Sequence, residues 1–340
     1  MVPERLSANQ PPARFYAGGR RIAELRGTGG TAPLDGHVPE DWVASVPTLF
    51  GAADLGLTRL ADGRLLRDAL AGDPVGWLGA DHVEAFGADP ALLVKLLDAG
   101  QRLPVHAHPD VPFALEHLGL AHGKTEAWVV IEPADVHLGF AREVSADELA
   151  AWVDAQDVDA MLGAMHLLRL ERGDAVLVPA GMPHAIGEGA FVVELQEPTD
   201  LSILLEWTGF DIDGRELGHL GLGFPTALAA VDRRAWARRD VEGLRAGGGD
   251  ATGDLLPAAA RFFRVERSRG GVAWDAGYAV VVVLSGSGTL VSADGTIELD
   301  RGATVVVPHG AGACRIEGGG DLEVLRCRPP QVRSGARIEV

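Results

Sequence analysis

Two histidines at positions i and i+2, His106 and His108, constrain this chain more than any other feature of the sequence. They follow the turn-forming residues Gly100 and Pro104. On a β-strand, side chains two residues apart point to the same face. The pair therefore predicts a strand that presents two imidazole rings side by side.

A third histidine follows a second phrase that is rich in turn residues. Five residues separate Gly173 from the turn Pro179-Ala180-Gly181, and two further residues separate this turn from His184. Glycine and proline are typical of turns because they fix or free the backbone angles that turns need. Together, the two phrases predict the two halves of a metal site inside a small β-barrel.

The residue types fit a divalent metal ion. Zinc and similar ions bind neutral imidazole nitrogens and carboxylate oxygens, and a catalytic site leaves one position open. Glu126 is the best candidate for the carboxylate, because it begins an apolar strand where an unpaired buried charge would be costly. A lone His-x-His pair is more often incidental, and a glutamate at a strand edge is usually solvated. The three spaced histidines nevertheless favour a metal site.

The composition excludes several classes of protein. The chain has 340 residues, of which 47% are hydrophobic, and this length suffices for two domains. A net charge of −18 disfavours non-specific binding to nucleic acid or to a membrane surface. No signal peptide or bilayer-spanning run is visible. The only cysteines, Cys314 and Cys327, favour a reducing, cytoplasmic location over a disulfide scaffold.

Lysine is almost absent from the chain. The only lysines are Lys95 and Lys124, and both flank the histidine pair, whereas arginine carries the positive charge elsewhere. A lysine is a compact charge with a tunable pKa, which an arginine is not. Two lysines kept at one place indicate a specific need, with chance as the alternative.

The apolar pattern predicts a mainly β protein with a helical insert and a helical connection. The capping box that begins at Ser145 starts a helix predicted to continue to about Leu167. Residues 208–255 form a connection, with a helix predicted from Pro225 to Arg239. The predicted strands are Leu92–Leu97, Arg102–His108, Glu126–Glu132, Ala175–Val178, Phe191–Leu195, Ser202–Trp207, Phe262–Glu266, Ala279–Leu284, Gly288–Ser292, Thr304–Val307 and Leu322–Cys327.

The second half of the chain repeats the glycine-framed phrase of the first. Gly302 is followed after five residues by Pro308-His309-Gly310, and alanine, Ala313, stands where the first phrase has its histidine. A repeat of this size predicts two similar barrels. We expect an N-terminal metal-binding domain over 1–235, with the helical insert, and a C-terminal domain over 256–335 that lacks metal ligands.

These glycine-framed phrases match the pattern of the cupin, or jelly-roll, barrels, so the resemblance implies a fold of two cupin barrels. The longer strings resemble the type I mannose-6-phosphate isomerase family from about Phe15 to about Trp207, with a second cupin following as in that family. The strings that carry this resemblance are Leu92 to Ala99, Val105 to Asp110, Gly123 to Trp128, and Gly173 to Ile186.

This resemblance implies a zinc-dependent aldose–ketose isomerase that interconverts mannose 6-phosphate and fructose 6-phosphate through a cis-enediol. The family's ligands are a glutamine, two histidines and a glutamate. They fall here on His106, which replaces the glutamine, and on His108, Glu126 and His184. The family's active-site lysines fall on Lys95 and Lys124, and its active-site glutamate falls on Glu194. Glu194 or a metal-bound water would move the proton, Lys124 would stabilise negative charge, and Lys95 would orient hydroxyl groups.

The chain departs from the family at Leu204, which stands where the family has an arginine. Arg20, Arg21 and Arg142 are candidates to replace that arginine from elsewhere in the chain. The departure leaves two alternatives open: an isomerase of another sugar, phosphorylated or unphosphorylated, and a cupin that holds a metal and binds a sugar without turnover. The sequence leaves the oligomeric state open, and the ligands would also suit iron, manganese, cobalt or nickel.

Overall fold

The computed structural model describes residues 1–12, 14–28 and 36–332. Most of the regular structure is β-strand, arranged in four sheets in which all paired strands run antiparallel. The mainly β fold predicted from the apolar pattern is confirmed. None of the described helices is long and apolar enough to cross a membrane.

The strands of the first half form two sheets, apart from the two-residue strand β1, which joins the second half. Their bounds are β1 Glu4–Arg5, β2 Glu40–Val43, β3 Leu93–Asp98, β4 His106–Ala107, β5 Glu126–Glu132, β6 Ala134–Phe140, β7 Met165–Leu170, β8 Asp174–Val178, β9 His184–Ile186, β10 Phe191–Gln196, β11 Ile203–Leu204 and β12 Arg245–Gly247. A six-stranded sheet has the order β12-β8-β5-β10-β3-β2, and a five-stranded sheet has the order β11-β4-β9-β6-β7.

The second half repeats this arrangement with fewer residues. Its strands are β13 Gly253–Asp254, β14 Arg264–Arg269, β15 Val272–Trp274, β16 Ala279–Ser285, β17 Ser287–Ser292, β18 Gly295–Asp300, β19 Thr304–Val307, β20 Cys314–Gly318 and β21 Glu323–Arg328. A six-stranded sheet has the order β1-β19-β16-β21-β14-β13, and a four-stranded sheet has the order β15-β20-β17-β18.

Helices occupy the ends and the connections. They are α1 Arg20–Arg26, α2 Leu66–Gly72, α3 Pro74–Leu78, α4 Ala80–Phe86, α5 Val111–Leu118, α6 Ala146–Ala155, α7 Val158–Gly163, α8 Gly214–Leu217, α9 Phe224–Ala227 and α10 Arg238–Glu242. Short 3₁₀ turns cover Leu228–Ala230, Pro257–Ala259 and His309–Ala311. The insert α6–α7 packs on the outer face of the five-stranded sheet through Leu149, Val153 and Met161.

The two six-stranded sheets pack against each other, so the molecule is a stack of sheets. Val129 of β5 and Val193 of β10 share one apolar cluster with Val282 of β16 and Leu325 of β21. The opposite face of each six-stranded sheet has its own core. In the first half this core includes Trp128, together with residues of β6 and β7; the second half has a separate core.

Strand alternation decides which side chains of the first six-stranded sheet point inward. In β5, Ala127, Val129 and Ile131 lie in the cluster between the halves, whereas Trp128 and Val130 lie in the inner core. Since successive side chains alternate between faces, the neighbouring polar residue Glu126 shares the inner face with Trp128. The same parity places polar residues of β3 and β10 inside the first half.

The sequence predictions match the strands better than the helices. The predicted strands Glu126–Glu132 and Thr304–Val307 have the observed bounds, whereas the one predicted over Ser202–Trp207 is reduced to the two residues of β11. The helix predicted to reach Leu167 is wrong at its end, because it is interrupted at Gln156 in the left-handed region (φ 53°) and β7 begins at Met165.

The predicted helix from Pro225 to Arg239 is also wrong as a continuous element. The chain forms α9, a 3₁₀ turn and α10, with non-helical residues between them. In this gap the amide of Asp232 donates to the carbonyl of Gly181, and the carbonyl of Arg233 accepts from Val144. These tertiary hydrogen bonds replace the helical ones, since helix propensity is a weak preference that packing overrides.

The repeated phrase is confirmed as a repeated strand–turn–strand unit. Gly173 and Gly302 each precede a strand, β8 or β19, with φ of 89° and 86° respectively. A turn follows each strand and leads to β9 or β20. The left-handed backbone at the glycine is therefore common to both copies.

We expect Gly302→Ala to destabilise the protein much more than Gly63→Ala. Both glycines have a positive φ, 86° and 85°, so each alanine carries a backbone cost of about 1 kcal/mol. A Cβ at Gly302 would also collide with the backbone of Leu25, whereas nothing lies within 4 Å of one at Gly63. The added strain should cost a further ~1–3 kcal/mol in urea unfolding. Equal destabilisation would contradict this close approach.

Candidate metal centre

The three histidines predicted as metal ligands meet on the inner face of the five-stranded sheet. His106 on β4 lies directly opposite His184 on β9 in the strand pairing, and His108 follows two residues later on the same face. The ring centroids lie 4.1 to 5.0 Å apart. One ring nitrogen of each residue lies within 4.8 Å of the others, and all three residues are buried.

Backbone carbonyls determine which nitrogen of each ring is free. Nδ1 of His106 lies 2.8 Å from the carbonyl oxygen of Pro104, Nδ1 of His108 lies 2.7 Å from that of Leu201, and Nδ1 of His184 lies 2.9 Å from that of Met182. A carbonyl oxygen only accepts, so each Nδ1 carries the hydrogen. Each Nε2 is left as a lone pair, which is how metal-ligating histidines are usually held.

Glu126 completes the group from the six-stranded sheet. Its Oε2 lies 3.0 Å from Nε2 of His108, and its Oε1 lies 3.3 Å from Nε2 of His184. Trp128 donates from Nε1 to Oε1 at 3.0 Å and so orients the carboxylate. Because β4 and β9 belong to a different sheet from β5, only the packing of the two sheets brings this carboxylate to the histidines.

The donor atoms of this group attract positive charge. Nε2 of His184 is a buried acceptor without a hydrogen-bond partner. Nζ of Lys124 lies 2.9 Å from Nε2 of His108 and 2.8 Å from Oε2 of Glu126. Three imidazole nitrogens and one carboxylate oxygen form a donor set that fits a divalent transition metal.

Burial favours the neutral form of two imidazoles, those of His106 and His108. It lowers the pKa of His106 well below its usual range, and the neighbouring His184 and His108 lower it further. Burial and the cation of Lys124 lower the pKa of His108 to about 3. Neutral rings are the form in which histidine binds metals, so His106 and His108 are ready to bind near neutral pH.

The pKa values of the two carboxyl groups beside the histidines are shifted in opposite directions. Burial opposes the ionised form of Glu126, but Lys124 and His108 outweigh it and lower its pKa well below the usual range. Burial, and then the charge of Glu126, raises the pKa of Glu194 to about 8. For Lys124, burial is outweighed by Glu126 and Glu194, which raise its pKa. A carboxyl group with a pKa near neutrality can both give and accept a proton.

Lys95 lies on the same inner face but in a second charged cluster. It pairs directly with Glu194 in the β3–β10 register, and its Nζ lies 4.5 Å from the ring centre of Trp42. Nζ also lies 3.4 Å from Glu40 and 3.5 Å from Asp200. Two carboxylates and an aromatic face therefore hold this buried ammonium group.

These side chains surround a cavity of about 220 Å³, the central cavity. Its polar lining is Arg14, Tyr16, Glu40, Lys95, His106, Lys124, Glu126, Glu194, Asp200 and Ser202. Its apolar lining is Phe15, Phe50, Leu97, Leu103, Pro104, Ile186, Leu204, Ile212, Leu217 and Leu220. The cavity joins predicted metal ligands and the predicted catalytic groups Lys95, Lys124 and Glu194 in one space.

The candidate replacements for the family's arginine lie elsewhere. Arg20 pairs with Glu24, Arg21 with Asp98 and Arg142 with Glu148, and none of the three lines the central cavity. Leu204 does line it, as an apolar side chain.

The arginine that lines the central cavity is Arg14, which the sequence analysis missed. Its Nε lies 2.9 Å from Oε1 of Glu40, and its Nη2 lies 3.7 Å from Oδ1 of Asp200. Tyr16 donates its hydroxyl hydrogen to Glu40 as well. Arg14 and Glu40 lie far from the histidine motifs in sequence, and no local pattern marks them. All four residues of β2, Glu40 to Val43, are buried, which its half-acidic sequence does not indicate.

Known proteins resemble this chain in sequence and in structure. No family model matches it. A mannose-6-phosphate isomerase of Streptococcus mutans is 30% identical over 274 residues, which are 75% of this chain and 80% of that protein. The mannose-6-phosphate isomerase ManA of Bacillus subtilis is 26% identical over 238 residues, 67% of this chain and 72% of that protein.

The solved structures support the same relationship at the level of the fold. A mannose 6-phosphate isomerase from Bacillus subtilis superposes with a TM-score of 0.71 at 22% identity, covering 96% of this chain and 100% of that one. A phosphomannose isomerase variant from Salmonella typhimurium gives a TM-score of 0.72 at 16% identity, with 97% and 100% covered. Since the Streptococcus mutans enzyme is aligned over most of both chains, this chain belongs to the mannose-6-phosphate isomerase family.

Proposed function

We propose that this chain is a metal-dependent isomerase that interconverts mannose 6-phosphate and fructose 6-phosphate. The observation that carries the proposal is the meeting of three imidazole nitrogens with Glu126, Lys124 and Glu194 at one buried site. The names of the related proteins, mannose-6-phosphate isomerases, support this substrate. The substrate of this proposal is thus a small sugar phosphate.

His106, His108, Glu126 and His184 would hold the metal ion. Zinc is our first choice, because a mannose 6-phosphate isomerase of similar fold has been crystallised with zinc and yttrium. Nitrogen and oxygen donors also suit iron, manganese, cobalt or nickel. A bound divalent cation supplies positive charge close to the sugar oxygens.

The chain's own residues would move the proton. Isomerisation removes a proton from C2 of the aldose and delivers one to C1. At the same time the hydroxyl group at O2 loses its proton to become the carbonyl, and O1 gains a proton to become a hydroxyl group. We assign the carbon-to-carbon transfer to Glu194, which lines the central cavity, is not one of the proposed metal ligands, and has a pKa raised to about 8 by burial and the charge of Glu126. Lys124, 3.5 Å from Glu194, would stabilise negative charge on the enediolate oxygens. Lys95 would orient the sugar hydroxyls.

We also infer that the two pairs of sheets are two cupin barrels, over 1–235 and 256–335. The repeated strand–turn–strand unit and the two separate inner cores support this division. One strand crosses this division, since β1 pairs with β19, and β12 of the connection adds to the first half by pairing with β8. Residues 333–335 lie outside the described residues. The buried cysteines, which form no disulfide, support a cytoplasmic location.

We expect His108→Ala and Glu126→Ala to lose the bound metal. Each substitution removes one of four donor atoms, so metal content after dialysis should fall from about one ion per chain to a small fraction of that. Mass-spectrometric metal analysis of the purified variants measures this directly. His117→Ala, on the helix α5 away from the site, is the matched control and should keep its metal. Unchanged metal in both site variants would show that the assigned ligands are wrong.

Glu194→Gln should abolish proton transfer while keeping the metal. General acid–base catalysis contributes roughly 10²- to 10⁴-fold, so we expect kcat to fall by that factor with fructose 6-phosphate or mannose 6-phosphate. A coupled assay, run before and after treatment with a chelator, measures turnover and its metal dependence. Glu132→Gln, at the exposed end of β5, is the control and should retain full activity. Activity of Glu194→Gln equal to that of the control would exclude Glu194 as the acid–base group.

One observation favours a second candidate, isomerisation of an unphosphorylated sugar. Within the central cavity Arg14 and Lys95 are paired with Glu40 and Asp200, and Leu204, opposite His106 in the pairing of β11 with β4, adds an apolar wall. A phosphate group would need an unpaired cation in the cavity, whereas an unphosphorylated sugar is neutral and needs none. The ratio of kcat/KM for mannose 6-phosphate to that for mannose decides between the two. Absence of turnover with any sugar, despite bound metal, would instead indicate a binding protein.

A further inference from the structure

A second cavity, the junction cavity, lies where the two halves of the molecule meet. Its volume is about 470 Å³, which is within the range of small-molecule sites. The first half contributes the end of α3 and the start of α4. The second half contributes Arg264 on β14, Arg328 on β21, Tyr278 and His309. None of these residues lines the central cavity.

The junction cavity contains an arginine, Arg264, that forms no ion pair within the described residues. Arg264 lies directly opposite Arg328 in the pairing of β14 with β21, and like charges in this position repel each other. Arg328 is compensated, because its guanidinium lies 2.8 Å from Asp275 and 3.2 Å from Glu266. Arg264 donates from Nε to the carbonyl of Pro329, and no carboxylate of the described chain lies within 4.0 Å of it.

Arginines outnumber carboxylates on the neighbouring strands β14 and β21 and the adjoining Asp275. Arg326 shares Asp275 and Glu266 with Arg328, so two carboxylates face three arginines once Arg264 is included. Burial, and then the charge of Arg328, lowers the pKa of Arg264. The remaining acidic group of the lining, Asp81, is exposed at the start of α4 and forms no ion pair within the described residues.

The unpaired polar atoms of the junction cavity are hydrogen donors. The hydroxyl of Tyr278 is buried and has no hydrogen-bond partner, and burial raises its pKa, so it keeps its hydrogen. Nε of Arg328 is also buried without a partner. A buried donor left unpaired costs about 1–3 kcal/mol. Tyr278 and Arg328 line the same cavity as Arg264, and a ligand that accepts hydrogen bonds and carries negative charge would suit all three.

We propose that the junction cavity binds a phosphate group, either as inorganic phosphate or as a small phosphate monoester. A phosphate oxygen accepts the fork of Arg264 and the hydroxyl of Tyr278, and its charge removes the repulsion between Arg264 and Arg328. The ligand would join α3 and α4 of the first half to β14 and β21 of the second. This site is separate from the central cavity and does not depend on the reaction there.

Calorimetric titration of the metal-loaded protein with inorganic phosphate tests the proposal. We compare the wild type with Arg264→Gln and with Arg261→Gln, an exposed arginine three residues away that does not line the junction cavity. Any phosphate bound in the central cavity is common to all three proteins. We expect Arg261→Gln to match the wild type and Arg264→Gln to bind at this site at least about tenfold more weakly.

Tyr278→Phe supplies a second, milder variant. Loss of one neutral hydrogen bond should weaken phosphate binding roughly threefold to tenfold. Titration with glycerol 2-phosphate in parallel distinguishes the source of the phosphate, because tighter binding than inorganic phosphate identifies a monoester as the preferred ligand. Thermal melting provides an independent signature: without phosphate, Arg264→Gln should melt no lower than the wild type, since it removes a repulsion.

Equal phosphate binding by Arg264→Gln and Arg261→Gln would overturn the proposal. If Arg264→Gln does not fold, unchanged binding by Tyr278→Phe would overturn it equally. Neither measurement uses turnover, so failure of the isomerase assignment would leave this test intact. Conversely, loss of the junction site would leave the assays of Glu194 and of the metal ligands unaffected.

Discussion

The alternation of side chains along β3, β5 and β10 determines both how the two halves pack together and which charged groups line the central cavity. One face of β3, β5 and β10 is apolar and packs against the second half, as Val94, Val129 and Val193 do. The other face carries Lys95, Glu126 and Glu194 into the central cavity. A slip of one residue in any of these strands would exchange the two faces, exposing charge to the apolar interface. The apolar packing therefore enforces the register that places the charged groups.

Mutual compensation makes this buried charge tolerable. An uncompensated ion inside a protein costs several kcal/mol, and Glu126 avoids this through Lys124, Trp128 and the imidazoles. Glu40 is compensated in the same way by Arg14 and Lys95. Both clusters line one cavity, and Glu194, opposite Lys95 in the strand register and 3.5 Å from Lys124, adjoins both with the weaker compensation. A group that is stabilised less in its charged form is the one suited to exchange a proton.

The second half contains the repeated strand–turn–strand unit without the histidine of the first half. It keeps the glycine with positive φ and the strand–turn–strand unit, but Ala313 replaces the histidine. Its six-stranded sheet covers the outer face of the six-stranded sheet of the first half. Arg264 on β14 and Arg328 on β21 line the junction cavity. The first half thus holds the histidine group and the central cavity, whereas the second half packs against its sheet and lines the junction cavity.

The amino-acid sequence determined the local features of this protein. The His106–His108 spacing, the turn before His184 and the start of β5 at Glu126 follow from strand periodicity and turn chemistry, which act between near neighbours. Only the tertiary structure decided that Arg14 and Glu40 join the central cavity, that Arg20, Arg21 and Arg142 do not, and that the helix predicted from Pro225 to Arg239 breaks. These outcomes depend on packing between segments distant in sequence, where burial and hydrogen bonding outweigh the local preferences that a sequence displays.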